Sequence, residues 1–361
     1  MAYTSGTTGQ SQCVEITEDR FLRKVCGMEV TGLYSVNDVC LACEYLTIYL
    51  SFSFNFKFMC SGAHLVISDK YWSVNDFIST VKNEKVSLIM TTPSVLYLLA
   101  SAVKASGTTL PSLKKVVSLG ATMPKSTAGV VLSALKPKEF RNVYGLSEAI
   151  GVVCCPPAGQ SCFQSVGFPV PDTQLKVTDP QSGRTLSVDQ HGEIKVRSPN
   201  IMAGYYNNSG ATAAAIDPHG WLRTGDVGYY DAMGRFFVIE RLKSVIKCLD
   251  TKVEPFEVEQ CVLELCCVAE VTVLGVPHPI FGEAPAAIVV LRQGWKVGMN
   301  DHIAQRIKDH VADRLAVYKG LHGGIVIAEE LPKNTRGKVL KCHLMAEFLK
   351  LKKEGMFYQT S

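Results

Sequence analysis

The chain has 361 residues, of which 47% are hydrophobic and 19% are charged. This length can bury about two hydrophobic cores, and the composition excludes an intrinsically disordered chain. The 37 basic and 33 acidic residues leave a net charge of +4, which excludes the strongly basic surface of most proteins that bind nucleic acid or anionic membranes. We therefore expect a globular protein without a nucleic-acid partner.

The most apolar stretch lies near the start of the chain, at Val39–Ile67. Glu44, Lys57 and His64 interrupt it, so it falls short of the continuous apolar run that a transmembrane helix needs. We expect a buried helix and strand here, and no transmembrane segment.

The next part of the chain alternates short apolar strands with helical segments. Strands are predicted at Ala63–Ile67, Val86–Met90 and Lys115–Leu119, and helices at Ser73–Asn83, Pro93–Lys104 and Pro124–Leu135. Ser73 and Pro93 are residue types that commonly start helices. Because strand–helix alternation places helices on both faces of a parallel sheet, we predict an α/β large domain.

From about Gly167 the pattern changes to strands separated by turns. The predicted strands of this β-rich subdomain are at Gln174–Val177, Glu193–Val196 and Arg235–Ile239. After Glu240 the pattern is that of a small α+β domain. Its predicted elements are helices at Glu254–Leu265 and Asp301–Leu315, strands at Val271–Leu274 and Ala287–Leu291, and a last helix after Lys338. We place the domain boundary at Glu240–Lys243.

Thirteen cysteines are scattered along the chain without a paired framework. Cys40 and Cys43 form a C-x-x-C pair, but the sequence has no second pair to complete a zinc site. We expect reduced cysteines that act as small hydrophobic residues in a reducing compartment. The final residues, Tyr358–Ser361, differ from a Ser-Lys-Leu peroxisomal signal, and the predicted location is cytoplasmic or peroxisomal.

The first residues contain a run of hydroxyl side chains and glycines: Thr4, Ser5, Gly6, Thr7, Thr8 and Gly9. Glycines let the backbone approach an anion closely, and hydroxyl and N–H groups donate hydrogen bonds to its oxygens. The run lacks the Gly-Lys-Ser/Thr of a Walker A loop. On composition alone, it is also typical of a surface turn.

Four further motifs follow along the chain: Val143–Glu148 (VYGLSE), Trp221–Asp226 (WLRTGD), Glu240–Lys247 (ERLKSVIK) and Leu331–Lys338 (LPKNTRGK). In this order the five motifs resemble those of the acyl-adenylate-forming superfamily of AMP-dependent synthetases and ligases, which includes acyl-CoA synthetases, 4-coumarate–CoA ligases and firefly luciferases. The resemblance implies an adenylation domain in residues 1–240 and a small mobile lid domain in residues 241–361. It also implies that the N-terminal part of the adenylation domain is missing, because family members carry a long stretch before the first motif.

The resemblance assigns ATP-binding roles to the first motifs. The Thr4–Gly9 loop would hold the phosphates. Tyr144 would stack on the adenine, with the Gly120–Ala121 backbone on the other side of the base. An aromatic residue followed by Gly145 suits this role, since glycine leaves the purine unobstructed.

Further roles follow from the same resemblance. Ser147 would bind the α-phosphate, although a serine here could equally cap an ordinary strand-to-helix turn. Glu148 would hold Mg²⁺, an ion that prefers carboxylate oxygen. Asp226 would accept both ribose hydroxyls, and Arg241 would complete the grip on ribose and phosphate. Without the family match, Asp226 would be read as a solvated carboxylate in a Gly-Asp turn.

The lid domain would carry the catalytic lysine and the hinge. Lys338 would stabilise the charge that develops between the acid and the α-phosphate, which suits a flexible and compact cation. Lys243 matches the hinge position about which the lid rotates, and Lys247 would face the acyl-adenylate or the thiol after rotation.

Two positions depart from the family pattern. Gln12 stands where the family usually has a lysine for the β- and γ-phosphates. Leu249 and Asp250 replace the Lys-Gly pair that is usual beside the CoA tunnel, where a bulky acidic residue opposes the approach of CoA. Both departures weaken the expected chemistry.

We therefore predict ATP- and Mg²⁺-dependent activation of a carboxylic acid, fatty or phenylpropanoid-like, followed by thioester formation with CoA. The main alternative is a catalytically impaired homologue that binds nucleotide or acyl ligand without efficient turnover. An adenylation domain that serves a carrier protein fits poorly, because only 23 residues follow Lys338. A luciferase-like oxygenase has no separate residue signature in the sequence.

Overall fold

The structure is a computed structural model that describes residues 1–4, 12–43, 49–67, 73–248, 251–292, 294–295, 300–333, 339–354 and 357–358. The chain divides into two compact units, and the division falls between Val238 and Ile239. The predicted boundary at Glu240–Lys243 lies just after this point. The assignment of the two parts as adenylation and lid domains stays a prediction.

The described strands are β1 (Ala2–Tyr3), β2 (Cys13–Glu15), β3 (Val39–Leu41), β4 (His64–Val66), β5 (Leu88–Thr91), β6 (Lys115–Ser118), β7 (Glu139–Asn142), β8 (Tyr144–Leu146), β9 (Gly151–Cys155), β10 (Phe168–Pro169), β11 (Gln174–Thr178), β12 (Gly192–Arg197), β13 (Gly204–Tyr205), β14 (Leu222–Tyr230), β15 (Phe236–Arg241), β16 (Ile246–Cys248), β17 (Thr251–Val253), β18 (Val268–His278), β19 (Gly282–Leu291), β20 (Gly324–Ala328) and β21 (Phe357–Tyr358).

The described helices are α1 (Glu18–Gly27), α2 (Tyr49–Cys60), α3 (Val74–Asn83), α4 (Pro93–Ser106), α5 (Lys125–Leu135), α6 (Ser209–Ala215), α7 (Pro255–Leu263), α8 (Asn300–Arg314) and α9 (Lys341–Lys353), with short 3₁₀ turns at Met28–Thr31, Ser147–Ala149, Leu242–Ser244 and Val317–Lys319. Among the described residues, no helix is both long enough and apolar enough to cross a membrane.

A parallel sheet organises the first unit. Its described strands run in the order β4-β3-β5-β6-β7 and every pair is parallel. Ile89 and Val116 lie on one face and pack with α3, α4 and α5, whereas Leu88 and Val117 lie on the other and pack with Phe58 of α2. Both faces are therefore covered, as strand–helix alternation predicts, and the predicted α/β class is confirmed.

Local signals explain where these helices begin and end. The Ser73 hydroxyl accepts the backbone N–H of Asp76 at 3.1 Å, which caps the start of α3. Pro93 occupies the first turn of α4, and Gly107, with φ of 63°, ends that helix in a left-handed conformation. The Val39–Ile67 stretch forms β3, α2 and β4, which agrees with the predicted buried helix and strand.

Three smaller sheets complete the first unit. The strands β11-β12-β14-β15 form a four-stranded sheet in the described residues, and β8-β9-β10 and β1-β2-β13 form three-stranded ones. Their side chains share a core that includes Val14, Leu146, Val177 and Leu222. This arrangement confirms the predicted β-rich subdomain and joins the Val143–Glu148 and Trp221–Asp226 motifs to one core.

The second unit is a small α+β fold. A long antiparallel pair, β18 and β19, forms its centre, and β20 lies parallel to β19. Val273 and Ile325 pack with α7 and α8 on one face, whereas Ile288 and Val326 pack with Phe348 of α9 on the other.

The prediction for β18 was too short. The expected strand ended at Leu274, but β18 continues to His278 and includes Pro277. Proline cannot donate a ladder hydrogen bond, which argues against a central strand. Among the strands that the structure describes, β18 pairs with β19 alone, so Pro277 needs no second partner.

Candidate functional site

The candidate site lies where the parallel strands of the first unit end. Ser118 and Asn142 are paired at the carboxyl ends of β6 and β7, and the backbone N–H of Val143 donates to the carbonyl of Ser118 at 2.8 Å. This pairing brings Gly120 and Tyr144 to the same edge of the sheet. Ligands of open α/β folds bind at this edge.

Two glycines at this edge have structural requirements of their own. Gly120 has φ of 83°, a left-handed conformation that side chains rarely adopt, and it lies with Ala121 in an exposed turn. A side chain at Gly145 would place its Cβ 2.5 Å from the carbonyl oxygen of Gly151. Gly145 is therefore needed for the close approach of β8 and β9, in addition to its predicted place beside the adenine.

A buried hydrogen bond joins two of the predicted site residues. The Tyr144 hydroxyl donates to Oδ2 of Asp226 at 2.6 Å, although 82 residues separate them. Tyr144 is 9% exposed and Asp226 is 6% exposed. The alternative that Asp226 is a solvated carboxylate in a turn is wrong, because Asp226 lies inside β14 and is buried.

Thr224 fixes the backbone beside this pair. Its hydroxyl donates to the carbonyl of Ile194 at 2.6 Å and accepts the backbone N–H of Asp226 at 3.0 Å. These bonds tie β14 to β12 at the point where the carboxylate projects. Thr224 belongs to the Trp221–Asp226 motif, but the sequence predicted no role for it, since a local pattern does not show which strand lies beside it.

Glu148 lies in the 3₁₀ turn that follows β8. The Tyr205 hydroxyl donates to Oε1 of Glu148 at 2.9 Å, and the carbonyl of Glu148 accepts the backbone N–H of Met202 at 2.8 Å. Ser147, in the same turn, is half-buried. Tyr205 therefore orients the predicted magnesium ligand, a role that no sequence signal indicated because the two residues are 57 positions apart.

The Thr4–Gly9 run begins beside a pair of antiparallel strands. Strands β1 and β2 are antiparallel, and beyond them the backbone N–H of Thr4 donates to the carbonyl of Gln12 at 2.9 Å. The Thr4 hydroxyl accepts the backbone N–H of Gln12, also at 2.9 Å. Ser5, Gly6, Thr7, Thr8 and Gly9 lie outside the described residues, so their phosphate-binding role stays a prediction.

Gln12 carries an unusual polar atom. Its Oε1 is buried and accepts no hydrogen bond from any residue that the structure describes. Leaving a buried acceptor unpaired costs about 1–3 kcal/mol. Gln12 therefore has a side-chain oxygen that no described residue uses as an acceptor.

The remaining candidates belong to the second unit. Arg241 is half-buried at the end of β15, where its backbone N–H donates to Oε1 of Glu240 at 2.8 Å. Lys243 is exposed in the Leu242–Ser244 turn. Lys247 is exposed in β16, and its backbone N–H donates to Oε2 of Glu283 at 2.8 Å. The predicted residues Lys338, Leu249 and Asp250 lie outside the described residues.

The first unit thus places the Tyr144 ring, the buried Asp226 carboxylate and the oriented Glu148 side chain around one sheet edge. No group of three or more His, Cys, Asp or Glu side chains within the described ranges could hold a metal ion. Glu148 alone suits an ion that takes one or two protein carboxylates and fills its other positions with phosphate oxygens and water, which is how Mg²⁺ binds with nucleotides.

Comparison with known proteins gives the family. The AMP-binding enzyme family matches residues 1–206, and the AMP-binding enzyme C-terminal domain matches residues 257–338. The first match covers more than half of the chain, so this chain belongs to the AMP-binding enzyme family. Its predicted membership of the acyl-adenylate-forming superfamily is confirmed.

Individual relatives agree with the family. A luciferin 4-monooxygenase from Photinus pyralis is 34% identical over 279 residues, which are 77% of this chain and 50% of that protein. The 4-coumarate–CoA ligase CCL1 of Humulus lupulus is 30% identical over 362 residues, which cover 97% of this chain and 64% of that protein. The chain therefore spans only half to two thirds of the length of these two relatives.

A solved structure supports the fold. The o-succinylbenzoate coenzyme A synthetase (MenE) of Bacillus subtilis, in complex with ATP and magnesium ion, aligns with a TM-score of 0.80 and 26% identity. The alignment covers 95% of this chain and 69% of that one.

Proposed function

We propose that this protein uses ATP to activate a carboxylic acid as an acyl-adenylate and then transfers the acyl group to CoA, as a 4-coumarate–CoA ligase-like enzyme. The observation that carries the proposal is the buried Tyr144–Asp226 pair at the carboxyl edge of the parallel sheet. A carboxylate accepts two hydroxyl groups readily, and an aromatic ring beside it offers a face for a purine. Together they suit a nucleoside.

The reaction has two displacement steps. A carboxylate oxygen of the acid attacks the α-phosphorus of ATP, the bond to the β-phosphate oxygen breaks, and pyrophosphate leaves. The thiol sulfur of CoA then attacks the acyl carbon, loses its proton, and AMP leaves. In this proposal Ser147 and the Thr4–Gly9 loop bind phosphate oxygens, and Lys338 stabilises the charge that develops in the first step.

Magnesium would enter with the nucleotide. Glu148 would hold it through the oxygen that Tyr205 does not engage, and the ion would neutralise charge on the phosphates. The Bacillus subtilis relative that binds ATP with magnesium supports this assignment. For CoA the support is the 4-coumarate–CoA ligase relative.

The proposed domains follow the same assignment. Residues 1–240 would be the adenylation domain and residues 241–361 the lid. The two family matches, at 1–206 and 257–338, support this division. Lys243 would be the hinge residue, Arg241 would contact ribose and phosphate, and Lys247 would face the acyl group after rotation.

A second candidate is binding without efficient turnover. Gln12 favours it, because a neutral side chain, whose buried Oε1 has no partner among the described residues, occupies the position where the family usually has a lysine. Asp250, with its negative charge, would oppose CoA in the second step. If Asp250 obstructs CoA, Asp250→Gly should lower the KM for CoA in thioester formation from preformed acyl-AMP, and an unchanged KM would remove this objection.

Carboxylate-dependent exchange of labelled pyrophosphate into ATP tests the proposal. The assay should use the full chain, Mg²⁺ and a panel of aliphatic and aromatic acids. Exchange that requires both an acid and Mg²⁺ would support adenylation. Nucleotide binding without exchange for any acid would favour the second candidate.

Lys338→Ala gives a sharper test of the first step. Because Lys338 acts on charge that develops in the transition state, the variant should lose about 100- to 1,000-fold in exchange rate while it keeps its affinity for ATP. Lys104→Ala is the matched control, since Lys104 is exposed near the end of α4. Equal rates in the two variants would remove Lys338 from the mechanism.

A further inference from the structure

A small cavity lies within the first unit, beside the strand β9 that follows Glu148. It has a volume of about 20 Å³, and its walls include Gly151 and Val152 of β9. These two residues pair with Leu146 and Gly145. The cavity wall is thus the strand next to the one that begins with Tyr144.

Two lysines reach this cavity from different helices. Lys24 lies in α1 and Lys57 in α2, and each is 7% exposed. In the ranges that the structure describes, neither ammonium group has an ion-pair or hydrogen-bond partner. A buried charge without a partner is strongly unfavourable, and burial accordingly lowers the pKa of Lys24 to about 8.

Two tyrosines add further donors to the same cavity. The hydroxyls of Tyr34 and Tyr49 are buried and lack a hydrogen-bond partner among the residues placed in the structure. Native proteins satisfy most buried polar groups, so two unsatisfied hydroxyls beside two lysines without a described partner indicate that a ligand completes this cavity. We refer to Lys24, Tyr34, Tyr49 and Lys57 as the four-donor pocket.

The chemistry of these side chains favours an anion. Lysine donates only, and a tyrosine hydroxyl can donate, so these four side chains favour an acceptor group. An ionised carboxylate has about four lone-pair sites and accepts without donating. A single water molecule fits the volume but leaves two positive charges uncompensated. The narrow cavity favours a compact anionic group at the end of a slender chain.

We propose that the four-donor pocket receives the anionic end of the acid substrate, so that the substrates are acids with a second compact anionic group, such as straight-chain dicarboxylic acids. This inference rests on the proposed function, because it assumes that the other carboxylate is the one activated at the sheet edge. The pocket then selects substrates by charge, since a monocarboxylic acid would leave both lysines unpaired.

Matched pairs of acids test the inference by two readouts. Succinate, adipate and suberate are compared with butyrate, hexanoate and octanoate at pH 7. The first readout is the shift in thermal unfolding midpoint without ATP, which reports binding alone. The second is pyrophosphate exchange. We expect at least one dicarboxylate to raise the midpoint and to exceed its monocarboxylate partner in kcat/KM.

Variants locate the effect. Lys24→Met and Lys57→Met should each reduce the preference for the dicarboxylate by about 10- to 100-fold, the value of one charge-assisted hydrogen bond. Tyr49→Phe should reduce it less. Lys104→Met, which removes an exposed lysine, should leave the preference unchanged. Because each variant is compared on both acids of a pair, a general loss of folding would lower both rates and leave the ratio intact.

The outcomes separate this inference from the proposed function. Exchange with monocarboxylates that equals or exceeds exchange with dicarboxylates overturns the inference and leaves the function standing. A midpoint shift with dicarboxylates that depends on Lys24, without exchange, supports the pocket and overturns the function. An equal shift with acetate or sulfate would mean that the pocket binds a free anion, which overturns its role in substrate selection.

Discussion

Two polar clusters in the first unit differ in one respect. In the cluster at the sheet edge, hydrogen bonds join Tyr144 to Asp226 and Tyr205 to Glu148. In the four-donor pocket, the hydroxyls of Tyr34 and Tyr49 are buried without a partner among the described residues, and no described carboxylate pairs with Lys24 or Lys57. The first cluster is held in place by the fold before any ligand arrives. In the second, the described residues supply no partner for the positive charge, which is the condition expected of a binding subsite.

Because the polar groups are paired in one cluster and lack a described partner in the other, removing a polar group should have opposite effects on stability in the two clusters. Lys24→Met should stabilise the protein, because it removes a buried charge whose pKa is lowered from 10.5 to about 8. A difference of this size corresponds to about 3 kcal/mol in the free energy of unfolding. Denaturant unfolding at pH 7 measures it, with Lys104→Met as control. Destabilisation by Lys24→Met would mean that the ammonium has a partner.

The pH dependence of stability gives a second measure of the same group. In the unfolded chain Lys24 binds a proton below its ordinary pKa of 10.5, whereas burial keeps it neutral in the folded chain down to about pH 8. The free energy of unfolding should therefore rise as the pH increases from about 8 to 10.5, by up to about 3 kcal/mol. The wild type should show this rise, and Lys24→Met should not. Parallel pH profiles for the two proteins would contradict the assignment.

Tyr144→Phe should have the opposite effect on stability from Lys24→Met. It deletes the hydroxyl that donates to Asp226 and leaves the buried carboxylate with one partner fewer, which should destabilise the protein by about 2 kcal/mol. Tyr206→Phe, at an exposed tyrosine, is the control and should have almost no effect. A neutral Tyr144→Phe variant would show that the sheet-edge cluster is not held by this bond.

Gln12→Lys should have the smallest effect in free energy, and the effect should be on ATP binding. Gln12, like the four-donor pocket, carries a buried polar atom without a described partner, so its side chain can be replaced at little cost to the fold. A lysine there should lower the KM for ATP by about 10-fold through a charge-assisted contact with phosphate. Gln181→Lys adds the same charge at an exposed loop and should leave the KM unchanged. No gain from Gln12→Lys would mean that another cation already serves the phosphates.

The sequence predicted the local features of the fold well. Ser73 and Pro93 indicated the starts of α3 and α4 because capping and proline geometry act within one helical turn. The contacts of the site were harder to predict. The Tyr144–Asp226 and Tyr205–Glu148 bonds join residues 82 and 57 positions apart, and no local pattern specifies such pairs.

The four-donor pocket shows a related limit. In the sequence, Lys57 is one of three polar residues that interrupt the apolar Val39–Ile67 stretch, and no binding role was predicted for it. A lysine in an otherwise apolar helix has two explanations, an exposed position or a buried position with a ligand. The choice between them depends on Lys24, which lies 33 positions earlier in another helix, and only the folded structure brings the two together.

The most direct test of acid activation is the fate of the substrate oxygen. An acid labelled with oxygen-18 in both carboxylate oxygens is incubated with the protein, ATP, Mg²⁺ and CoA, and the nucleotide product is analysed by mass spectrometry. Attack of the carboxylate on the α-phosphorus, followed by thioester formation, predicts AMP that carries one labelled oxygen. Unlabelled AMP, or ADP with labelled phosphate, would contradict an acyl-adenylate intermediate.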